Sequence, residues 1–218
     1  GFYFPRLIIK PIQDHNTSLK LYNTNLAHEL KTPLSVVRSN LDMLELTKNE
    51  KFIASSKEEL THIENIINSL LFLIQKRSSG ENYEIKNLSN IIKKSGAKFP
   101  QLTIDFDNFH TEIQKEINED LFILLVENIF ENAQKYSSDK KIIISLNEKS
   151  LKFNNQIEKN LSAKELKQIE EIFYQVDNSR NSQGYGLGIP MIKKIIENFG
   201  WEMKISCKNN IFEIKIIF

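Results

Sequence analysis

Asn25-Leu26-Ala27-His28-Glu29-Leu30-Lys31-Thr32-Pro33-Leu34 reads as the middle of one long helix. Apolar residues recur through and beyond it at Leu19, Tyr22, Leu26, Leu30, Leu34, Val37, Leu41 and Leu44, steps of three and four that align them on one stripe. His28 falls between Leu26 and Leu30, so at about 100° per residue it points away from that stripe and toward solvent. Thr32 lies four residues on and shares its face, with Glu29 one position round. Pro33 has no N–H to give the carbonyl of Glu29, and its ring crowds that carbonyl, so a bend is expected within one turn of His28. An exposed histidine is by itself more often a solvated polar residue than a nucleophile. A proline inside the same turn, at about 3 kcal/mol, argues for the second reading.

A second stripe, Leu60, Ile63, Ile67, Leu70 and Ile74, follows the polar stretch Thr47 to Glu50, which suits a helix–helix turn. Lys76 and Arg77 and then Ser78-Ser79-Gly80 have the cations and glycine that favour a helix C-terminus, and the domain boundary is expected there. A hairpin of two narrow-striped helices buries little alone. A second copy completing a four-helix bundle would cover the seam, so a homodimer is expected; packing of the hairpin on the rest of the chain is the alternative.

Beyond Gly80 the pattern becomes mixed. Helices are expected over Asn87 to Lys98, Glu119 to Tyr136 and Ile189 to Phe199. Strands are expected over Leu102 to Phe106, Ile113 to Glu116, Lys141 to Leu146, Leu151 to Asn155, Glu202 to Cys207 and Ile211 to Phe218. The fold class is therefore α+β in two domains, a helical hairpin followed by a sheet with helices on one face. The helix 119–136 carries Asn128, Asn132 and Lys135 on one line, at spacings of four and three. Asparagine is a poor helix-interior residue, and a half-buried amide without a partner costs about 1 to 3 kcal/mol. A metal-bound polyphosphate would satisfy both amides, with amide oxygens for Mg²⁺ and Lys135 for phosphate oxygens; bonds to neighbouring loops would do so equally. Further on, Gly184, Gly186 and Gly188 alternate just before a helix whose first turn holds Pro190, an arrangement that lets backbone approach a phosphate. A GxGxG turn alone is weak support.

HELKTP, His28 to Pro33, resembles the phosphoacceptor box of sensor histidine kinases of two-component systems. ENIFENAQKYS, from Glu127, followed by GYGLGI, from Gly184, resembles the asparagine and second glycine boxes of the ATPase fold shared by histidine kinases, gyrase, Hsp90-type chaperones and mismatch-repair proteins. Ile172-Phe173-Tyr174 between them is similar to that fold's phenylalanine box, on the lid over ATP. The resemblance implies an antiparallel hairpin forming a dimeric four-helix bundle, then an α/β sandwich of the GHKL (Bergerat) type. His28 would be the phosphorylated residue, Glu29 the acid/base that takes its proton, and Thr32 the residue that positions water for dephosphorylating the partner. ATP with Mg²⁺ would be held by Asn128, Asn132, Lys135, Tyr136, Asn155, Phe173, Gly184, Gly186, Leu187 and Gly188, the metal by Asn128 and Asn132. Implied domains are an N-terminal segment 1–13 after a membrane region, a dimerisation and phosphotransfer hairpin 14–77, a linker 78–82 and a catalytic domain 83–218. The chain would be the cytoplasmic portion of a bacterial inner-membrane protein, its partners a second copy and a response regulator. His15, His62 and His110 have no comparable setting.

Two positions depart from the family pattern. The aspartate-glycine box that reads adenine is replaced by Leu151-Lys152-Phe153-Asn154-Asn155-Gln156, where period two puts Asn155 on the face of Leu151 and Phe153, in the aspartate's place. An amide lacks the carboxylate's charge, so weaker nucleotide binding is expected. Gln175 stands where arginine is usual, with Arg180 the nearest substitute. A catalytically weak or inactive dimeric scaffold is accordingly the alternative to an active kinase that also dephosphorylates its regulator.

The bulk numbers agree with such a chain. Charge is balanced at +1 over 218 residues, which gives no basic field for nucleic acid. The single Cys207 allows no internal disulfide. The apolar run Gly1 to Ile9 is far shorter than the roughly 20 residues of a membrane span, so any membrane contact would be through a region outside this chain.

Overall fold

A computed structural model describes residues 26–27, 29–75, 82–176 and 184–218. The expectations that fall on 1–25, on His28, on the helix end and linker at 76–81 and on Arg180 lie outside the described residues. The chain divides into two compact units, Gly1–Leu70 and Leu71–Phe218.

In the first unit, helix α1 runs over 29–47 and helix α2 over Lys51–Ile74. The turn between them is specified locally. Lys48 takes a left-handed φ of +53° and donates its N–H to the carbonyl of Leu44 at 2.8 Å, closing α1, while the Asn49 side chain accepts the Lys51 N–H at 3.1 Å and opens α2. The two helices are linked by the Asn40 amide, which donates to the Ser55 hydroxyl at 2.9 Å. The second helix begins at Lys51, well before Leu60, where its apolar stripe starts. Ile66 and Leu70 are buried, whereas Leu34, Leu41, Leu60, Ile67 and Ile74 of the two stripes are exposed in the single chain.

The second unit is built on a five-stranded sheet of order β2-β4-β5-β7-β6, with β2 (Thr103–Phe109), β4 (Lys141–Leu146), β5 (Ser150–Gln156), β6 (Glu202–Lys208) and β7 (Ile211–Ile217). Only the β2–β4 pair is parallel. A two-stranded antiparallel ribbon, β1 (Glu84–Asn87) with β3 (Gln114–Ile117), stands apart from it. Helices α3 (Leu88–Gly96), α4 (Glu119–Tyr136) and α6 (Gly188–Asn198) join the sheet in one core containing Ile92, Phe122, Leu125, Phe130, Ile195, Ile144, Leu151, Phe153 and Ile216. Phe130 and Phe153 meet edge to face at 6.2 Å, tying α4 to β5. The remaining helix, α5 (Ala163–Gln168), has no buried residue and is held by a capping box. In it the Ser162 hydroxyl accepts the Glu165 N–H at 3.2 Å, and the Glu165 carboxylate accepts the Ser162 N–H at 2.7 Å.

The architecture is the expected one, a helical hairpin and an α/β sandwich. Differences are local. Asn87 is the N-cap of α3 rather than its first residue, its side chain accepting from the N–H groups of Ser89 and Asn90. Leu102 and Ile113 are buried but precede β2 and β3, which run to Phe109 and Ile117. Strand β1 and helix α5 were not expected, one being only four residues and the other a short polar run. No helix among the described residues is long and apolar enough to cross a membrane.

Candidate functional site

On α1, Glu29 is half-buried and Thr32 exposed; His28, between the helical residues Ala27 and Glu29, lies outside the described residues. The helix continues through Pro33, and one turn further the Ser35 hydroxyl donates to the carbonyl of Lys31 at 2.8 Å. A groove of about 480 Å³ runs along this part of α1, lined by Lys31, Thr32, Ser35, Val36 and Ser39. Thr32 therefore opens onto a solvent-accessible groove.

In the second unit the site grows out of α4. Asn118 caps this helix by accepting the Leu121 N–H at 3.0 Å, and Phe122, Leu125, Val126, Ile129, Phe130 and Ala133 anchor it in the core. The positions left over carry the polar line. Asn128 donates its amide N–H to the carbonyl of Leu124 at 2.8 Å, which leaves its Oδ1 as the outward acceptor. Asn132 has a buried Nδ2 with no hydrogen-bond partner among the described residues. Buried amide donors are seldom left unpaired without a role, because each costs about 1 to 3 kcal/mol.

The glycine segment explains why Asn132 is enclosed. A Cβ built on Gly188, the first residue of α6, would lie 3.1 Å from Asn132 Nδ2 and 3.2 Å from its Oδ1. One built on Gly184 would lie 3.0 Å from both Lys135 Nζ and the Tyr136 hydroxyl. Gly186 has a φ of +64°, and its Cβ would fall 2.6 Å from the carbonyl oxygen of Tyr174, a clash with backbone that only glycine avoids. Gly188 and Gly184 thus bring backbone directly onto Asn132, Lys135 and Tyr136, while Gly186 packs on the backbone of Phe173 and Tyr174. Leu187 is buried beside them, and α6 starts with no side-chain cap, so its first N–H groups face this point unpaired by a capping side chain.

Phe173 is also buried and takes a left-handed φ of +68°. Its N–H donates to the carbonyl of Gly186 at 3.1 Å, and the Gln175 side-chain amide donates to the carbonyl of Gly184. Behind them Lys193 of α6 pairs with Glu170 at 2.7 Å. Both Gln175 and Glu170 work through space from a distant segment, and no motif in the sequence signals either contact. Asn155 stands on β5 two residues beyond Phe153 and on the same face. The N–H of Ser138, just past α4, donates to the carbonyl of Gln156 at 2.8 Å and so joins the end of β5 to the end of α4.

Burial pushes the Lys135 ammonium below the usual lysine range, against the opposing pull of Glu131. Burial likewise raises the Glu131 carboxyl and the Tyr136 phenol. An added phosphate would reverse the penalty on Lys135. No group of three His, Cys, Asp or Glu that could hold a metal occurs among the described residues. The unpartnered N–H of Asn132 beside the glycine cradle fits a phosphate oxygen, and the side-chain oxygen of Asn128, whose N–H is given to Leu124, is of the kind Mg²⁺ takes.

Comparison with known proteins agrees with this geometry. Residues 18–79 match the family model of the His Kinase A (phospho-acceptor) domain. Residues 117–216 match that of the Histidine kinase-, DNA gyrase B-, and HSP90-like ATPase, and the two together span most of the chain. The chain is similar to the sensor protein CiaH of Streptococcus pneumoniae, 27% identical over 99% of this chain and 53% of the relative. It is similar also to the sensor protein kinase WalK of Staphylococcus aureus, 29% identical over 79% of this chain and 32% of the relative. The chain spans about half the length of the first of these curated relatives. Among solved structures, the Acinetobacter baumannii histidine kinase AdeS superposes with a TM-score of 0.69 at 18% identity, over 88% of this chain and 96% of that one. Histidine kinase ThkA in complex with response regulator protein TrrA does so with a TM-score of 0.68 at 16% identity, over 94% and 63%. These last two likenesses are of fold.

Proposed function

The chain belongs to the sensor histidine kinases of two-component systems, and from that premise we propose that it phosphorylates its own His28 with ATP and passes the phosphoryl group to an aspartate of a response regulator. An imidazole nitrogen of His28 forms the new P–N bond as the bond between the γ-phosphorus and the β–γ bridging oxygen breaks. ADP leaves, and Glu29 takes the imidazole proton. Transfer to the regulator exchanges the P–N bond for an acyl phosphate, and Thr32, exposed on the groove of α1, positions the water that later hydrolyses it. Little covalent help is needed for such transfers; alignment and charge stabilisation carry them.

Asn132, Lys135, Tyr136 and the backbone of Gly184, Gly186, Leu187 and Gly188 hold the phosphates, Phe173 closes over them, and Asn155 meets the base. Asn128 and Asn132 would hold Mg²⁺, which would supply charge neutralisation to the phosphates. The observation that carries this reading is the buried, unpartnered amide of Asn132 under Gly188. Asn155 and Gln175, the two departures from the family, favour a slow kinase over a fast one. The exposed stripes of α1 and α2 meet those of a second copy in a four-helix bundle, and a region outside this chain links the pair to the bacterial inner membrane.

Two variants test the division of labour. With γ-labelled ATP, Asn132→Ala should lose most of the label, by about 100-fold or more, if that amide serves the nucleotide. Thr32→Ala should keep its label while losing regulator dephosphorylation; equal loss of both activities in Thr32→Ala would contradict its assigned role.

A further inference from the structure

Asn155 has a consequence for substrate choice that follows from its chemistry and surroundings, given the reading above of this site as nucleotide-binding. A carboxylate offers only acceptors, so at a purine edge it matches the 6-amino group of adenine and repels the O6 of a 6-oxopurine. An amide offers one acceptor and one donor side by side. In one orientation it matches the N6-amino and N1 pair of adenine; turned by 180° it matches the O6 and N1–H pair of hypoxanthine or guanine.

Among the described residues no side-chain hydrogen bond selects between those orientations. Asn155 is half-buried on the face of Leu151 and Phe153, and its amide is engaged in no side-chain hydrogen bond among the described residues. Its cross-strand partner on β7 is Phe212, which has no polar group to fix it. The nearby Ser138 hydroxyl is committed to the carbonyl of Gln156 at 3.3 Å. Asn154, the next amide along, pairs with Glu213 on the opposite face and offers no carboxylate to the base side. We propose that the site accepts 6-oxopurine nucleotides as well as adenine nucleotides, with Asn155 reading either base edge by turning its amide.

The test is calorimetric titration of the chain with ADP and with IDP, both with Mg²⁺, since the two bases differ only at the edge in question. The wild-type protein should bind them within about tenfold of each other, whereas a site committed to one hydrogen-bonding pattern can reject the other by about 10⁴-fold. Asn155→Asp should widen the gap by about tenfold or more, through weaker IDP binding. ADP bound with IDP more than about tenfold weaker on the wild-type protein overturns this inference and leaves the nucleotide site intact. An unchanged ratio in a folded Asn155→Asp protein overturns it as well. Binding of neither nucleotide overturns the nucleotide reading and this inference with it. The wild-type ratio stands as the test even if the variant fails to fold.

Discussion

Lys135 shows how single residues prepare this site. Its ammonium lies against Gly184, and burial lowers its pKa, so the charge is lost at a lower pH than for an ordinary lysine. Bound phosphate favours the charged form and raises that pKa again. Nucleotide affinity should therefore be full below the lowered value and fall as pH climbs through it, with protons taken up on binding in that window. Lys135→Arg, always charged, should flatten the profile; titrations in buffers of different ionisation enthalpy would read both effects. A pH-independent affinity in the wild-type protein would count against a phosphate contact. The polar line on this helix stands out in the sequence, because two asparagines and a lysine at spacings of four and three are unusual in a helix interior. The bond from Gln175 to Gly184 does not, since it depends on two segments meeting through space.

Among the elements, those with strong local signals were read nearly to the residue. Helix α4 combines a capping asparagine, acidic residues in its first turn and an apolar face, and it runs over the expected 119–136. The β4–β5 hairpin has alternating burial and a polar turn closed by the Asn147 side chain, which accepts the N–H groups of Lys149 and Ser150. Strand β1 and helix α5 escaped because neither has an apolar period, and α5 announced itself only through Ser162 and Glu165. What makes α4 a rigid platform is Phe130, fully buried and set edge to face against Phe99 at 5.5 Å and Phe153 at 6.2 Å. Phe130→Ala should destabilise the ATPase unit by about 3–5 kcal/mol, measured by denaturant unfolding. A loss below about 1 kcal/mol would mean that the aromatic cluster does not hold the platform.

At the scale of the whole molecule, the exposed apolar stripes of the hairpin call for a partner surface. Leu41, half exposed in the single chain, sits in the α1 stripe, so Leu41→Glu should convert a dimer into a monomer in sedimentation equilibrium. A wild-type monomer at tens of micromolar would contradict the bundle. Such a dimer is legible only as an uncovered seam, because a stripe reveals that something must cover it and not how two hairpins interlock. His28 is the point on which the proposed function converges: in that reading the asparagine and glycine boxes supply its phosphoryl group and a response regulator takes it away. Incubation with γ-labelled ATP and Mg²⁺ tests this most directly. The wild-type protein should acquire an acid-labile, alkali-stable label that His28→Gln lacks, whereas label persisting in His28→Gln, or no label on the wild-type protein, would contradict the account.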